Sequence, residues 1–461
     1  MAERLSASDM SSLLAERGPI HVNVGGTMIM EGDPPAYEEL LAHVSSRLPL
    51  IPHYRQRVTE APVVQFTNPS WTDDTRFDIR WHVRRAALPT PGGREELREL
   101  IGRIMSDSLD LARPLWQLYL IEGLEEGRHA YLSKTHHALV DGVSAVDVGT
   151  ILLDPNPEGT EMPVPEEPWE PDQSSPAMLF VSEAADTVRR PIRAAGKAAR
   201  EALTTPFVET AARAVRTAEG FAGLAAGGPN VPRSPLNVEI GRDRRVAWVA
   251  ADLQAIKDAR SVEGATVNDV ILSTVAGGLG RFLEGRGDAV PEHLVALVPV
   301  SIRRADEQSA LGNRIASIQV PLPLRIPDSV QRLAAVKEET ARLKRSEQAR
   351  AASLIIDATG WTPPTINRLL ADAISRPLTW NLVVSNVPGP QMPFYLLGRR
   401  LAEVYPCVPL SPQGHALSVG VVSYDGGVYF GLNGDRDVIS DLDDLAAALE
   451  VSLAEQTAVA P

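Results

Sequence analysis

The spacing of apolar positions predicts helices and strands in two separate sections of the chain. In the first section, Tyr37 to Leu48 has apolar residues at helical spacing, and Glu95 to Leu109 repeats that pattern. Runs rich in β-branched and other apolar residues predict three strands, at His21 to Met30, Leu115 to Glu122 and Ala130 to Thr135. The chain up to about Asp154 is therefore predicted to be mixed α/β.

A second α/β section begins near Leu236. Its predicted strands are Arg245 to Ala251, Leu294 to Ile302, Leu382 to Ser385, Ala416 to Tyr424 and Val428 to Leu432. Its predicted helices are Asp252 to Arg260, Asn268 to Leu283 and Leu442 to Ala454. No short repeat is visible, which disfavours a solenoid, and the shared αβ character suggests two related halves.

A change of composition separates the two sections. Asp154 to Pro176 holds seven prolines, which predicts an extended linker. Met178 to Leu224 is rich in Ala and Arg and predicts helix, either packing across two domains or docking on a membrane surface. We expect a first domain at 1–158, a linker and helical crossover at 159–235, and a second domain at 236–461.

Composition excludes several classes of protein. Hydrophobic residues make up 44% and charged residues 23%, which is ordinary globular usage. The net charge of −14 disfavours a bulk nucleic-acid binder. Cys407 is the only cysteine, so neither an intramolecular disulfide nor a Cys-rich zinc site can form. The N-terminus does not resemble a signal peptide, and no window approaches the roughly 18 apolar residues of a membrane span.

The densest chemical signal is the run His-His-Ala-Leu-Val-Asp-Gly at 136–142. It follows a predicted strand, where neighbouring side chains point to opposite faces, so only one histidine can face a given cleft. A histidine there is suited to act as a general base near neutral pH. The alternatives are two ordinary strand-end histidines or a metal site. The metal reading is weak because the other histidines lack ligand spacing.

Asn268 and Asp269 follow Thr266, a candidate N-cap, and should lie in the first turn of a helix. An amide at Asn268 could donate to a developing oxyanion. The alternative is a capping or packing asparagine. Asp269 is expected to act at the helix terminus.

HHxxxDG resembles the signature of the CoA-dependent acyltransferase superfamily, which includes chloramphenicol acetyltransferase and peptide-synthetase condensation domains. Further segments are similar to the bacterial wax ester synthase/diacylglycerol acyltransferase family. They are Leu5-Ser6-Ala7-Ser8-Asp9, Arg113-Pro114-Leu115-Trp116, Thr266-Val267-Asn268-Asp269-Val270, Pro299-Val300-Ser301-Ile302-Arg303 and Ser385-Asn386-Val387-Pro388-Gly389-Pro390. They occur in the family's order and span almost the whole chain.

The resemblance implies two chloramphenicol-acetyltransferase-like α/β domains that enclose a tunnel, with the histidine motif at their interface. It makes His137 the base on the acceptor hydroxyl and His136 a support for the loop. It makes Asp141 structural, turned toward an arginine for which Arg55 is the candidate, and it makes Gly142 a point of close backbone approach.

The resemblance also implies that Ser301, Arg303 and Asn386 are scaffold or CoA contacts. Neither a GxxxxGK[ST] loop nor a GxGxxG loop after a strand is present to hold phosphates. Acyl-CoA is the implied co-substrate, with no bound cofactor and no metal.

The implied reaction forms triacylglycerol from diacylglycerol, wax ester from a long-chain alcohol, or both. Acylation of another hydroxyl, such as that of a polyketide-type diol, is an alternative, and so is a catalytically silent lipid-droplet scaffold. Because the reactants are apolar, we expect a cytoplasmic protein at the inner membrane or on lipid inclusions.

Overall fold

A computed structural model describes most of the two predicted sections. The described residues are 3–5, 9–10, 12–13, 16, 18, 20–59, 69–139, 151–160, 162, 169–172, 231–301, 315–345, 380–411 and 414–458. The helical crossover predicted at Met178 to Leu224 lies outside them, as do Asp141, Gly142 and Arg303.

The chain forms strands and helices in mixed order. The strands are β1 (Glu3–Arg4), β2 (Asn23–Met30), β3 (Gln56–Thr59), β4 (Ser70–Asp73), β5 (Val83–Ala87), β6 (Trp116–Leu124), β7 (Arg128–His136), β8 (Arg244–Asp252), β9 (His293–Ser301), β10 (Ile315–Pro323), β11 (Leu382–Pro388), β12 (Tyr395–Leu396), β13 (Arg399–Cys407), β14 (Leu417–Tyr424) and β15 (Gly427–Asp435). The helices are α1 (Tyr37–Arg47), α2 (Ile79–His82), α3 (Arg94–Ser106), α4 (Leu253–Glu263), α5 (Val267–Gly285), α6 (Ser329–Arg345) and α7 (Leu442–Thr457).

Two six-stranded sheets organise these elements. The first sheet has the order β12-β13-β2-β7-β6-β5, and the second has the order β10-β9-β11-β14-β15-β8. Both mix antiparallel and parallel pairs: β5 runs parallel to β6, and β11 runs parallel to both β9 and β14. A smaller sheet, β1-β4-β3, also forms in the first half. The predicted mixed α/β class with two domains is confirmed.

The predicted strands are all present, and so are five of the six predicted helical stretches, with bounds that differ by a few residues. The sixth, Met178 to Leu224, lies outside the described residues. Several elements were not predicted, among them β3, β4, β5, β10, β13 and α6. In β13, the charged residues Arg399, Arg400 and Glu403 obscure the apolar alternation on which a strand prediction depends.

One connection departs from the sequence-based division of the chain. Residues 395–407 were assigned by position to the second domain at 236–461, but β13 pairs antiparallel with β2 of the first sheet. Without β13, the edge of β2 would expose unpaired backbone groups. The crossing strand therefore completes the first sheet and ties the two halves together.

The halves also meet through α3 and β8. A methyl group at Gly102 of α3 would lie 2.7 Å from the carbonyl oxygen of Arg244, so a glycine permits this close approach. Ser106 at the end of α3 accepts a hydrogen bond from the Arg244 backbone N–H at 2.7 Å. Helix α5 is the centre of the second half, packed among α4, α6 and α7.

Among the described residues, no helix has both the length and the apolar character required to span a bilayer.

Candidate active site

The two histidines lie at the C-terminal end of strand β7, at one end of the first sheet. This strand lies between β2 and β6, so its end is held from both sides. The backbone N–H of His136 donates to the Leu115 carbonyl at 2.9 Å, and that of His137 donates to the Val22 carbonyl at 2.9 Å. The backbone of the pair is therefore fixed by both neighbouring segments.

The two imidazoles have different surroundings. His136 is fully buried, whereas His137 is partly exposed at the start of the short 3-10 turn His137–Leu139. Nδ1 of His136 accepts a hydrogen bond from the Ala138 backbone N–H at 3.0 Å. Ser12 Oγ lies 3.4 Å from Nδ1 of His137. Of the two rings, that of His137 is the partly exposed one.

A carboxylate from the N-terminal segment approaches the buried histidine. Glu16 Oε2 lies 3.3 Å from Nε2 of His136, and Glu16 Oε1 lies 3.4 Å from Nδ1 of His21. Burial alone would raise the pKa of the Glu16 carboxyl, but its interactions with His136 and His21 outweigh burial and lower that pKa to about 2. Glu16 is therefore a carboxylate at neutral pH.

A buried lysine lies two residues before His136 on the same strand. Lys134 Nζ donates to the carbonyls of Ile104 and Asp107, both at 2.6 Å, and so caps the C-terminal end of α3. Burial lowers its pKa to about 8.

The N-terminus of α5 brings the second-half candidates together. Thr266 is the N-cap, and its Oγ1 accepts from the Asp269 backbone N–H at 3.2 Å. Asp269 Oδ2 accepts from the Thr266 backbone N–H at 2.8 Å, which completes a capping box. Asp269 Oδ1 also accepts from Thr340 of α6 at 2.7 Å. Asp269 thus fixes the first turn of α5 against its neighbour.

Asn268 lies in that same turn and contacts β11. Asn386 Nδ2 donates to Asn268 Oδ1 at 3.3 Å, and both residues are partly exposed. This contact leaves the NH₂ group of Asn268 to serve other partners.

The remaining predicted site residues have separate positions. Ser301 ends β9, opposite Ile315, and its side chain is not among those described. The Arg55 guanidinium stacks over the Trp169 ring, 4.9 Å from its centre. Asp141, proposed as the partner of Arg55, lies outside the described residues, as do Gly142 and Arg303.

Three contact residues were not singled out from the sequence, namely Ser12, Glu16 and His21. Their signal was weak, because Glu16 lies 120 positions before His136 and no local pattern joins them. The nearest sequence signal was the similarity of Leu5 to Asp9 to a family segment, which did not point to these three residues.

Contacts beside the histidines also reach the second half. Asn23, paired opposite His136 on β2, donates through Nδ2 to the Asp107 carbonyl at 3.3 Å. Asp107 Oδ1 in turn accepts from Arg242 Nη2 at 2.9 Å. The end of the first sheet that carries His136 is therefore linked to the second half.

In the described part of the chain, no group of three His, Cys, Asp or Glu side chains is placed to hold a metal.

Comparison with known families shows to which family this two-domain chain belongs. The family model described as the wax ester synthase/diacylglycerol acyltransferase catalytic domain matches residues 5–271. The WS/DGAT C-terminal domain matches residues 311–456. The chain belongs to the wax ester synthase/diacylglycerol acyltransferase family. It is therefore an acyltransferase, and the predicted family resemblance is confirmed.

Full-length relatives agree with this family assignment. The probable diacylglycerol O-acyltransferase tgs2 of Mycobacterium tuberculosis is 32% identical over 462 residues, covering 97% of each chain. The probable diacylglycerol O-acyltransferase tgs1 of the same species is 31% identical over 466 residues, covering 99% of this chain and 96% of the relative.

Solved structures of this family and beyond share the fold. The wax ester synthase/diacylglycerol acyltransferase of Marinobacter aquaeolei superposes with a TM-score of 0.69 at 27% identity, covering 99% of both chains. The first condensation domain of the calcium-dependent antibiotic synthetase superposes with a TM-score of 0.61 at 17% identity, covering 100% of this chain and 97% of that chain. The latter likeness shows the fold alone.

Proposed function

We propose that this acyltransferase moves an acyl group from acyl-CoA to a hydroxyl acceptor, forming triacylglycerol from diacylglycerol, wax ester from a long-chain alcohol, or both. The observation that carries the proposal is the partly exposed His137 next to the buried His136, in a chain that matches the family's two domain models over residues 5–271 and 311–456. The names of the mycobacterial relatives favour diacylglycerol as an acceptor, and the family description adds the wax ester activity.

In this proposal His137 is the general base. Ser12 lies on the Nδ1 side of its ring, so we assign proton transfer to Nε2. The acceptor hydroxyl gives its proton to Nε2 while its oxygen bonds to the thioester carbonyl carbon. The resulting tetrahedral oxyanion collapses, the C–S bond breaks, and the CoA sulfur leaves. The sulfur then takes the proton from His137 and leaves as a thiol, so the base is regenerated without a covalent acyl-enzyme.

Asn268 is proposed to stabilise the oxyanion. Its carbonyl oxygen is occupied by Asn386, which leaves its NH₂ group as the donor. The capping box and the Thr340 contact of Asp269 fix the turn that carries it. A donor fixed before the reaction is effective because it needs no reorganisation as charge develops. Asp269 and Asn386 are thus proposed to act through Asn268.

The same proposal assigns supporting roles to five further residues. Asp141 and Gly142 would shape the loop after His137, with Arg55 as the proposed partner of Asp141. Ser301 and Arg303 would contact CoA. The reaction would proceed in a tunnel between the two halves, at the cytoplasmic face of the inner membrane or on a lipid inclusion, because both reactants are largely apolar.

The test is CoA release by the purified protein with radiolabelled acyl-CoA and four acceptor conditions, namely diacylglycerol, hexadecanol, a diol of polyketide type or no acceptor. We expect labelled triacylglycerol, wax ester or both, and CoA release that depends on an acceptor. Turnover of neither acceptor, but acylation of a diol of polyketide type, would move the proposal to another hydroxyl. No turnover with any acceptor would favour a scaffold role.

A further inference from the structure

The end of β7 contains a buried polar cluster that the proposed chemistry does not use. It consists of His136, Glu16 and His21, with Glu16 3.3 Å from His136 Nε2 and 3.4 Å from His21 Nδ1. His136 is fully buried and the Glu16 side chain is 14% exposed. In the described part of the chain, His136 Nε2 has no partner that meets hydrogen-bond geometry, and the Glu16 carboxylate is an acceptor within reach of it at 3.3 Å.

The hydrogen bond at the other ring nitrogen fixes the protonation state of His136. The Ala138 backbone N–H can only donate, so Nδ1 of His136 must accept and carries no proton. An imidazolium, which is protonated on both nitrogens, is incompatible with that contact. His136 is therefore neutral, with its proton on Nε2, beside Glu16.

We infer that Glu16 is a positioning residue that holds His136 in the Nε2–H tautomer, so that Nδ1 can accept from Ala138 and fix the turn presenting His137. A second interaction of this kind commonly sets the tautomer and orientation of a functional histidine. Here Glu16 contacts the His136 ring, and that ring contacts the Ala138 backbone. Ala138 directly follows His137, so the contacts reach the proposed base.

The electrostatics of the cluster agree with this role. An ordinary glutamate is already ionised at neutral pH, and a carboxylate is a stronger acceptor than a neutral group. If the proton moved to Nδ1, the Ala138 N–H would face a second donor, and Nε2 would present a lone pair to the carboxylate. Both contacts would then become unfavourable.

This inference rests on the proposed function, since it assigns to Glu16 an effect on the base His137. Without the Nδ1 contact, residues 137–139 would lose a hydrogen bond that defines their turn. Small displacements of a reacting group lower rates strongly, so we expect a variant without an acceptor at position 16 to lose roughly 10- to 100-fold in kcat. KM for acyl-CoA should change little, because Glu16 does not contact substrate in this scheme.

The direct test is the tautomer itself, measured by ¹⁵N NMR of the ring nitrogens in ¹⁵N-histidine-labelled full-length protein. The His136 signals are assigned from their absence in His136→Asn. We expect the Nε2–H tautomer in the wild-type protein at pH 7. We also expect it in Glu16→Gln, whose amide oxygen still accepts, and its loss in Glu16→Met, which has similar length and no acceptor of comparable strength.

Activity then shows whether the tautomer matters. Glu16→Gln should keep kcat within a few-fold of wild type, and Glu16→Met should lose it. His129→Gln is the matched control, since His129 is equally buried at the other end of β7 and bonds the Gly32 carbonyl. That control should lower stability and leave both kcat and the His136 signals unchanged.

The inference is overturned by a doubly protonated or Nδ1–H His136 in the wild-type protein, a result that does not depend on whether any variant folds. It is also overturned if Glu16→Met keeps wild-type kcat. Failure of the proposed function is seen separately, as turnover that survives His137→Ala, and it would leave the tautomer result intact.

Discussion

The two halves have similar sheets but use buried polar groups differently. Seven of the nine histidines lie in the first half, namely His21, His43, His53, His82, His129, His136 and His137. At His43 and His136 the ring joins a charged side chain to a backbone group. The second half is built on one continuous apolar core, with α5 at its centre.

The buried polar groups of the first half and the apolar core of the second half contribute differently to the structure. Buried rings that accept and donate in one fixed direction define the orientation of their neighbours, whereas an apolar core stabilises without specifying a protonation state. In the second half the candidate groups are concentrated at one helix end, where Asp269 and Thr266 fix Asn268. We expect variants of the buried polar groups of the first half to alter orientation or stability, and variants at Asn268 to alter the reaction step alone.

The largest expected effect is on stability, at the ion pair that holds the chain following the histidine motif. Asp154 Oδ1 accepts from Arg47 Nη2 at 2.6 Å, with both side chains buried. Asp154→Ala would leave Arg47 buried without its carboxylate, which costs about 3–5 kcal/mol in unfolding free energy. Urea titration measures it. The control is Glu38→Ala, which removes an exposed partner of Arg80 and should change stability little. Equal losses for the two variants would contradict the assignment.

The next largest effect is expected in the second half, where it should lower kcat rather than stability. Asn268→Ala should lower kcat by about 10²- to 10³-fold, since one oxyanion donor is typically worth about 3–4 kcal/mol. Steady-state CoA release gives kcat and KM. Asn237→Ala is the control, because Asn237 is a second-half amide that donates to the Asn381 carbonyl. Its kcat should stay near wild type. An Asn268→Ala variant with wild-type kcat would assign that residue to packing.

The halves should contribute comparably to acid sensitivity. Burial lowers the pKa of His82 in the first half, and that of His415 in the second, to about 4. A lowered histidine pKa means that the unfolded chain binds the proton first, so stability is complete above about pH 6.5 and falls as the pH decreases toward 4. Each group contributes up to about 3 kcal/mol over that window. His82→Phe should flatten the dependence of the unfolding free energy on pH, measured by urea titration. An unchanged dependence would contradict the lowered pKa of His82.

The smallest effect is expected at the partner of Asn268. Asn386→Ala removes one neutral hydrogen bond, at 3.3 Å, to Asn268 Oδ1. Such a bond contributes about 1 kcal/mol, so kcat should fall by about fivefold. Because the contact acts through Asn268, the double variant Asn268→Ala/Asn386→Ala should be no slower than Asn268→Ala. Additive losses in that cycle would give Asn386 an independent role.

Much of the fold could be predicted because apolar periodicity is a local signal. The strands around the histidines and the helix beginning at Val267 follow from residues within a few positions of each other. Strand β13 could not be predicted, because its charged positions hide the alternation. Its pairing with β2 joins Tyr405 to Thr27, which are far apart in the chain.

The candidate site divides in the same way. The motif at 136–142 and the cap at Thr266 are local, so their residue types indicated their chemistry. The contacts of Glu16 with His136 and of Asn386 with Asn268 depend on tertiary packing, and no spacing rule in one sequence reveals them. Family resemblance pointed to Asn386 but did not point to Glu16.

The central claim is that the imidazole of His137 removes the proton from the acceptor hydroxyl. It is tested most directly by kcat for acyl transfer to diacylglycerol in His137→Ala, with His53→Ala as a matched, partly exposed histidine of the same half. The account predicts a loss of about 10²- to 10⁴-fold for His137→Ala, with a wild-type melting temperature, and little change for His53→Ala. A folded His137→Ala protein that turns over at the wild-type rate would contradict it.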